Sequence, residues 1–402
     1  IWSITGSKNM NNAAGNFFSG PSSRMTVDLD AIAQNWLLLK KKLQNGADCA
    51  GVVKADSYGL GAAAVSRALF RQGCRHFFVA QYAEGLKVRA ALSAVAGAFP
   101  HSPVSDAPVV VDAPTIYVLE GPCGVDTDEF AQSGLVPVLN SPADIAQWRA
   151  AAAKLHRKLP AVLHIDTGMN RLGLNGTEVA ALAADAAIWA ALDIRYAMSH
   201  LACADEPAHA MNAAQLTLFR QLTAALGRPL RFSFANSSGI FLGPDYHFDL
   251  ARPGCAIYGI NPVPDKTNPM RGTVLFEGRI LQNRIIDRQG TVGYGAGYAV
   301  DTGTKCATVS IGYADGYLRS LTGRGKVYIG GVACDVIGRV SMDSIVVDTN
   351  HLPVPPAPGT WAEIIGPHQS VDDVAAQAGT IGYEIFTGLG LRTPRHYIGD
   401  SL

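Results

Sequence analysis

Short apolar runs alternate with alanine-rich, helix-favouring stretches through the first two thirds of the chain. Eight of these runs are rich in β-branched and aromatic residues. They cover residues 50–54, 76–81, 116–120, 136–140, 161–166, 194–200, 231–236 and 248–252. Continuous apolar strands are typical of a parallel sheet whose two faces are covered by helices. Eight strand–helix units therefore predict an α/β fold, a closed (β/α)8 barrel of the TIM type.

Each of the eight runs ends on a polar residue. In chain order, these residues are Lys54, Gln81, Glu120, Asn140, Asp166, His200, Asn236 and Arg252. Active sites of (β/α)8 barrels lie at the carboxyl ends of the strands. We therefore expect these eight side chains to meet at one mouth of the barrel.

The pattern changes after Tyr258. Residues 261–269 (NPVPDKTNP) are rich in proline and have little helix potential, which indicates a domain boundary. Beyond them come short strand-like runs separated by glycine, at 274–286, 306–312, 326–329 and 344–347, and one helical stretch at 371–378. We predict an N-terminal extension over residues 1–25, the barrel over 26–265 and a C-terminal, mostly β domain over 266–402.

The composition is that of an ordinary globular protein with a small-molecule partner. The 402 residues are 48% hydrophobic, and the 33 basic and 33 acidic residues cancel, with no run of like charge suited to nucleic acid or an anionic membrane. No continuous apolar stretch approaches the length of a membrane span, and the first two dozen residues do not resemble a signal peptide, so we expect a cytoplasmic protein. Seven scattered cysteines without a CxxC pair predict neither disulfides nor a metal site.

Lys54 is the first candidate for chemistry. It ends an apolar strand and is followed by a turn of small residues. Burial of an amine disfavours its charged form and lowers its pKa, which makes available the neutral nucleophile that forms a Schiff base with a cofactor. The alternative is a lysine at a strand end that simply reaches solvent.

Two glycine–tyrosine segments are the unusual feature of the second domain. They are residues 292–298 (VGYGAGY) and 311–317 (IGYADGY). Tyrosines between glycines favour exposed loops that can approach another surface closely. Tight β-turns without a function are the alternative.

The chain resembles the alanine racemase family, whose members are pyridoxal-phosphate enzymes with a barrel and a C-terminal β domain. The resemblance runs from about Thr26 to Tyr397, in motifs that occur in the order of the family. These motifs are residues 53–59 (VKADSYG), 166–173 (DTGMNRLG), 199–202 (SHLA), 235–237 (ANS), 252–254 (RPG), 293–295 (GYG), 312–316 (GYADG) and 339–343 (RVSMD).

The resemblance implies a racemase that interconverts L- and D-alanine with pyridoxal 5'-phosphate and supplies D-alanine for peptidoglycan. It implies a homodimer in which the C-terminal domain of one subunit contributes to the active site of the other. The catalytic residues would be Lys54, Tyr294 of the partner subunit, His200 and Arg252. The residues that bind the cofactor would be Lys54, Tyr58, Asn236, Ser237, Arg252, Gly254, Cys255 and Tyr258. Arg171 and Met342 would bind the substrate, and Asp205, Tyr313, Arg319 and Arg339 would line the entrance corridor.

The chemistry explains these residue types. Racemisation removes the α-proton from one face of the substrate and returns a proton on the other, so two groups must flank that carbon. Lysine and tyrosine both have a pKa near 10, about three units too high for a base at neutral pH, so each needs a perturbing environment. For Tyr294 we expect a cation at His200, backed by Arg252. The resemblance places Arg252 against the pyridine nitrogen, where its charge disfavours protonation and should suppress transamination.

Several of these residues also have simpler interpretations. His200 could be a core histidine bonded to the backbone, Arg252 a surface ion-pair partner, and Ser237 a helix N-cap. The corridor residues could be ordinary solvated side chains.

Three positions depart from the family pattern. His164 lies where many relatives carry a carbamylated lysine that orients the arginine equivalent to Arg171. An imidazole cannot form that carbamate, so either another anion positions Arg171 or it is held less firmly. Leu60 replaces a common histidine, and Leu391 replaces a phosphate-binding tyrosine of some relatives.

Two other functions stay open at this point. One is a pyridoxal-phosphate amino-acid decarboxylase of related architecture, and Arg252 in place of an acidic ring partner argues against it. The other is a noncatalytic pyridoxal-phosphate carrier, which would resemble the barrel alone.

Overall fold

The computed structural model describes residues 20–96 and 113–399, so most of the predicted N-terminal extension lies outside the described residues. The described chain begins with strand β1 (Ser23–Asp28) and helix α1 (Leu29–Lys42). Asp28 caps this helix by accepting a hydrogen bond from the Ala31 N–H at 2.9 Å. Ile32, Trp36 and Leu39 recur at helical spacing and are fully buried, so α1 packs against the barrel along one face.

The barrel is built from short parallel strands in sequential order. These strands are β2 (Asp48–Cys49), β3 (Gly51–Val52), β4 (His76–Val79), β5 (Thr115–Val118), β6 (Val136–Leu139), β7 (Leu159–His164), β8 (Leu192–Met198), β9 (Arg231–Ser233) and β10 (Leu250–Ala251). Strands β3 to β9 form one seven-stranded sheet. The first predicted strand, at 50–54, contains β3, and a further short strand, β2, lies just before it, separated from β3 by Ala50.

The last barrel strand closes the sheet. Leu250 and Ala251 of β10 pair with Asp48 and Cys49 of β2. On its other side, the Asp249 N–H donates to the Phe232 carbonyl at 3.0 Å and so joins β10 to β9. The predicted (β/α)8 barrel is confirmed.

Helices cover the outside of this barrel. They are α3 (Ala62–Arg71), α4 (Tyr82–Ala96), α5 (Thr127–Gln132), α6 (Pro142–Lys154), α7 (Gly176–Ala184), α8 (Ala186–Ala191) and α9 (Ala210–Ala225), whereas the short element α2 (Lys54–Tyr58) lies at the barrel mouth. Several start at side chains that cap the free N–H groups of the first turn: Asp126 for α5, Ser141 for α6 and Asp185 for α8. All four residues of β6 are buried, as expected for a strand packed on both faces.

The C-terminal domain is mostly antiparallel sheet, as predicted. Its strands are β11 (Val274–Ile285), β12 (Gly290–Val292), β13 (Tyr298–Val300), β14 (Lys305–Val309), β15 (Lys326–Ile329), β16 (Val332–Ile337), β17 (Ile345–Asp348), β18 (Trp361–Ile365) and β19 (Arg395–Ile398). Its helices are α10 (Val371–Ala378) and α11 (Gly382–Thr387). The main sheet has the order β14-β17-β16-β15-β18-β11-β1-β19, and β14 also pairs with β11.

Strand β1 belongs to this second sheet although it precedes the barrel in sequence. It pairs antiparallel with β11, where Met25 lies opposite Phe276, and parallel with β19, where Val27 lies opposite Tyr397. The two ends of the described chain therefore tie the C-terminal sheet to the start of the barrel. No helix within residues 20–96 and 113–399 is long and apolar enough to cross a membrane.

Candidate active site

Lys54 is the first residue of α2, a turn with unusual backbone geometry. The four residues after it, Ala55 to Tyr58, all have φ between 51° and 56° and form one left-handed turn. Each L-residue in this conformation costs about 1–2 kcal/mol, so surrounding contacts must hold the turn in place. Gly59 ends it with φ 81°, and a Cβ there would lie 2.4 Å from the Phe386 carbonyl oxygen.

The pKa of the Lys54 amine is lower than its ordinary value. Burial is the largest cause and lowers its pKa, and the nearby Arg171 guanidinium lowers it further. The carboxylates of Glu84 and Glu120 oppose both effects. The direction is the one expected for a lysine at the end of an apolar strand.

A cavity of about 530 Å³ lies at the carboxyl ends of the barrel strands. Of the residues singled out in the sequence, it is lined by Lys54, Tyr58, His164, Arg171, His200, Asn236, Ser237, Arg252, Gly254 and Cys255. Residues far apart in the chain thus meet in one space of the size that small-molecule ligands occupy. Tyr258 lies behind this surface: its ring is 4.7 Å from that of Tyr58, and its hydroxyl donates to the Val52 carbonyl at 2.8 Å.

Arg252 is buried at the base of the cavity, with 4% of its surface exposed. Its guanidinium donates to the Ser233 hydroxyl and to the Ser199 carbonyl, each at 2.5 Å, and lies 3.5 Å from His200 Nδ1. Burial lowers the pKa of Arg252 to about 9, which leaves it protonated at neutral pH.

His200 is a neutral imidazole in this arrangement. Burial and the charge of Arg252 lower its pKa well below the usual value. Because a guanidinium can only donate, Nδ1 of His200 faces it as the acceptor. The positive charge of this network therefore lies on Arg252 and not on His200.

Small residues and hydroxyl groups form one corner of the cavity, here called the Ser237–Gly254 cradle. The Ser237 hydroxyl accepts the N–H groups of Gly254 at 2.9 Å and Ala256 at 3.3 Å. A Cβ at Gly254 would lie 2.4 Å from the Tyr58 hydroxyl, so only glycine fits at that position. Burial raises the pKa of Tyr58 and keeps its phenol protonated, as a hydrogen-bond donor.

His164 and Arg171 also line this cavity. His164 Nδ1 is 2.8 Å from Asn140 Oδ1, and the Asn140 amide nitrogen donates to the Leu119 and Val138 carbonyls. The Asn140 oxygen is thus the acceptor, which places the His164 proton on Nδ1 and leaves Nε2 as an acceptor. Burial, then Arg252 and Arg171, lower the pKa of His164 to about 4, so this imidazole is neutral.

The candidates of the C-terminal domain lie on an exposed surface and not on the cavity wall. Tyr294 is 73% exposed, Met342 52% and Tyr313 44%. Tyr294 lies in the loop between β12 and β13, and a Cβ at the neighbouring Gly295 would lie 2.7 Å from the Arg339 guanidinium. Arg319 and Arg339 line a separate surface pocket, and Asp205 is exposed in the loop before α9.

Two of the sequence motifs pack against each other on this surface. The Tyr313 N–H donates to the Ser341 carbonyl at 3.1 Å, and the Ala314 N–H donates to the Met342 carbonyl at 3.0 Å. Arg392 joins the same two loops: it donates to Asp315 at 2.6 and 2.9 Å and to Asp343 at 2.7 Å. The loops that present Tyr313 and Met342 are therefore held as one unit.

Among the residues that sequence reasoning missed, one lines the cavity and another contacts the Lys54 turn. Tyr383 of α11 lines the cavity, and its hydroxyl lies 2.8 Å from the Cys255 sulfur. Nothing near Tyr383 in the sequence connects it to the barrel mouth. Glu84 accepts the N–H of Ala55 at 2.6 Å, and its place three residues after Gln81, at the start of a helix, is a capping signal that was available.

Comparison with known proteins agrees with this arrangement. Residues 27–262 match the family model of the alanine racemase N-terminal domain, and residues 273–397 match that of the C-terminal domain. The alanine racemase of Rhodospirillum rubrum is 49% identical over 93% of this chain and 96% of its own length, and the catabolic alanine racemase of Mesorhizobium japonicum is 48% identical over 93% of each.

A solved structure shows the same fold. The alanine racemase from Bartonella henselae with covalently bound pyridoxal phosphate has a TM-score of 0.86 and 39% identity, over 94% of this chain and all of that one. The barrel, the cavity at its mouth and both domain matches lead to one conclusion: this chain belongs to the alanine racemase family.

Proposed function

We propose that this protein interconverts L- and D-alanine, with pyridoxal phosphate bound at Lys54. The observation that carries the proposal is the convergence of Lys54, Arg252 and the Ser237–Gly254 cradle in one cavity. The related enzyme from Bartonella henselae, with its covalently bound pyridoxal phosphate, supports the same cofactor here.

The residues of the cavity fit this cofactor. The Ser237 hydroxyl accepts the N–H groups of Gly254 and Ala256 and so keeps its own proton to donate to a phosphate. The Tyr58 hydroxyl and the Cys255 N–H would add donors, because small residues let an anion approach the backbone. Tyr383, which reaches the same corner, adds a hydroxyl that compensates for leucine at position 391. When bound, pyridoxal phosphate withdraws electrons from the substrate and so acidifies its α-proton.

Arg252 selects racemisation over related reactions. Its buried guanidinium remains charged at neutral pH and can donate hydrogen bonds but not accept them. With pyridoxal phosphate in the cavity, this charge would disfavour protonation of the ring nitrogen and so limit how far electrons are withdrawn. Arg252 would thereby favour racemisation over transamination.

We further propose a two-base mechanism in which the bases come from different chains. Lys54 moves a proton on the face of the substrate nearer the barrel, and its lowered pKa makes the neutral amine accessible. Tyr294 serves the opposite face. It is 73% exposed and does not line the cavity of its own chain, which favours its insertion into the cavity of a second copy.

The remaining polar residues bind and admit the substrate in this proposal. Arg171 at the cavity wall binds the carboxylate of alanine, with the Met342 backbone of the second copy opposite it. Asp205, Tyr313, Arg319 and Arg339 line the entrance once the two copies are paired.

The physiological direction is also part of the proposal. D-alanine made in the cytoplasm would supply peptidoglycan. The relative from Mesorhizobium japonicum is called catabolic, which favours as a second candidate the consumption of D-alanine. Growth of a deletion strain with and without D-alanine distinguishes the two.

The activity itself is tested by incubating the purified enzyme with L-alanine while optical rotation and carbon dioxide release are followed. We expect rotation to decay to zero without carbon dioxide. Carbon dioxide release would instead establish a decarboxylase, and an unchanged solution would establish a noncatalytic carrier.

A further inference from the structure

Glu84 links the catalytic lysine to the neighbouring strand–helix unit. It lies in the first turn of α4, and its Oε2 accepts the N–H groups of Ala80 at 2.8 Å and Gln81 at 3.0 Å. This is the capping role that an acid commonly has at the start of a helix. It accounts for only one of the two carboxylate oxygens.

The second oxygen reaches across to the catalytic turn. Oε1 of Glu84 accepts the N–H of Ala55 at 2.6 Å. Ala55 directly follows Lys54 and is the first residue of the left-handed turn, with φ 51°. One carboxylate therefore joins the loop that carries Lys54 to the start of a fifteen-residue helix.

This bond meets a structural need. Four successive non-glycine residues in the left-handed region are costly, and such geometry persists only where neighbouring groups hold it. The Ala55 N–H is the first donor of the turn, and a charged acceptor binds it more strongly than a carbonyl does.

Glu84 also affects the charge balance at Lys54. Burial and the Arg171 guanidinium disfavour a positive charge on the Lys54 nitrogen, whereas the carboxylates of Glu84 and Glu120 favour it.

We propose that Glu84 is a positioning residue for Lys54: its carboxylate fixes the peptide unit that follows the lysine and places a negative charge at the turn that carries it. It acts through the turn and does not line the cavity. The inference rests on the proposed function, because it assigns Lys54 as the residue that holds the cofactor.

The test uses Glu84→Gln and Glu84→Asp in the enzyme with its cofactor bound. Glutamine keeps the size but removes the charge and one acceptor. Aspartate keeps the charge but is one methylene too short to reach the N–H groups of Ala55, Ala80 and Gln81 together. Absorbance of the bound cofactor is titrated through the alkaline range, and the release of pyridoxal phosphate on dilution is timed.

We expect Glu84→Gln to move the spectroscopic midpoint to lower pH, because the lysine nitrogen loses a favourable charge. Both variants should release the cofactor about tenfold faster, since a hydrogen bond to a charged group is lost. Glu84→Asp should keep a midpoint close to that of the unchanged enzyme. If Glu84→Gln does not fold, the release rate of Glu84→Asp decides.

Glu178→Gln is the matched control. Glu178 caps α7 by accepting the Asn175 N–H at 2.9 Å and has no bond to the Lys54 turn. Equal shifts in Glu178→Gln and Glu84→Gln, or release rates that neither Glu84 variant changes, would overturn the inference. If the enzyme without substitutions binds no cofactor covalently, the proposed function is wrong. The role of Glu84 in the turn is then measured from the free energy of unfolding of the Glu84 variants.

Discussion

The two regions that carry the proposed bases differ in how much of their surroundings one chain provides. At the barrel mouth, Arg252 is 4% exposed and bonded to Ser199 and Ser233, and Lys54 lies in a turn held by Glu84. On the C-terminal domain, Tyr294 is 73% exposed. In the barrel half, contacts within one chain already fix Arg252 and the Lys54 turn, whereas Tyr294 lies on an exposed loop and does not line the cavity at the barrel mouth. Such a difference is what a site divided between two chains requires.

We expect the largest effect from a substitution in the barrel half of the proposed site. Lys54→Ala should remove both the covalent attachment of the cofactor and one base, so activity should fall by about 10⁴-fold. Racemisation rate and absorbance of the bound cofactor measure the two losses. Lys158→Ala, on the exposed surface, is the control and should change neither. Retention of the absorbance band and full activity in Lys54→Ala would reject Lys54.

The second prediction concerns the loss of activity in a variant of the C-terminal half and its recovery in mixed dimers. Tyr294→Phe should lower activity by about 10³-fold, because a positioned acid–base group is lost. Mixing it with Lys54→Ala under subunit exchange should return about half the activity per heterodimer, because closed twofold pairing gives one intact site and one site with both lesions. Inactivity after verified exchange, or a monomer that stays fully active at high dilution, would contradict the shared site.

The third prediction concerns the stability of the barrel half. The pKa of His164 is about 4 in the folded protein, against about 6.5 when unfolded, so the unfolded state binds more protons between these values. The contribution of His164 is therefore fully present above about pH 6.5 and is lost as pH falls towards 4, by about 3 kcal/mol.

Urea unfolding at several pH values measures this loss. His164→Gln should flatten the dependence, whereas His396→Gln, at an exposed position, should not. If the free energy of unfolding of His164→Gln depends on pH as strongly as that of the unsubstituted protein, the assignment is wrong.

The fourth prediction tests the support of the C-terminal surface. Arg392→Met removes the ion pairs that hold the loops of Tyr313 and Met342 together. Because Arg392 is half exposed, we expect a loss in kcat/KM of about tenfold rather than more. Arg149→Met, which breaks the exposed pair with Asp185, is the control and should be neutral. A variant with normal kcat/KM would show that these loops need no clamp.

The last prediction is that bicarbonate has no effect on activity. Because His164 is an imidazole bonded to Asn140, no carbamate forms at this position, and activity should not depend on bicarbonate. Rates in buffer freed of carbon dioxide and in added bicarbonate should agree. Recovery of lost activity on adding bicarbonate would show that another lysine forms a carbamate.

Much of the fold followed from local pattern alone. All eight predicted barrel runs contain strands, and the predicted helical stretch at 371–378 is helix α10, which Ser370 caps. The contribution of β1 to the C-terminal sheet was not visible, because strand pairing depends on residues more than 240 positions away, such as Phe276 opposite Met25.

The sequence by itself determined the order of strands and helices, the position of Lys54 at a strand end and the motifs that mark the family. The tertiary structure alone decided how these parts act together. Closure of the barrel brought Arg252 to His200 and made the imidazole neutral, and folding of the second domain brought Tyr383 to Cys255. Periodicity is a property of neighbours in the chain. Burial, tautomers and charge balance arise from contacts between distant residues, which exist only after the chain has closed upon itself.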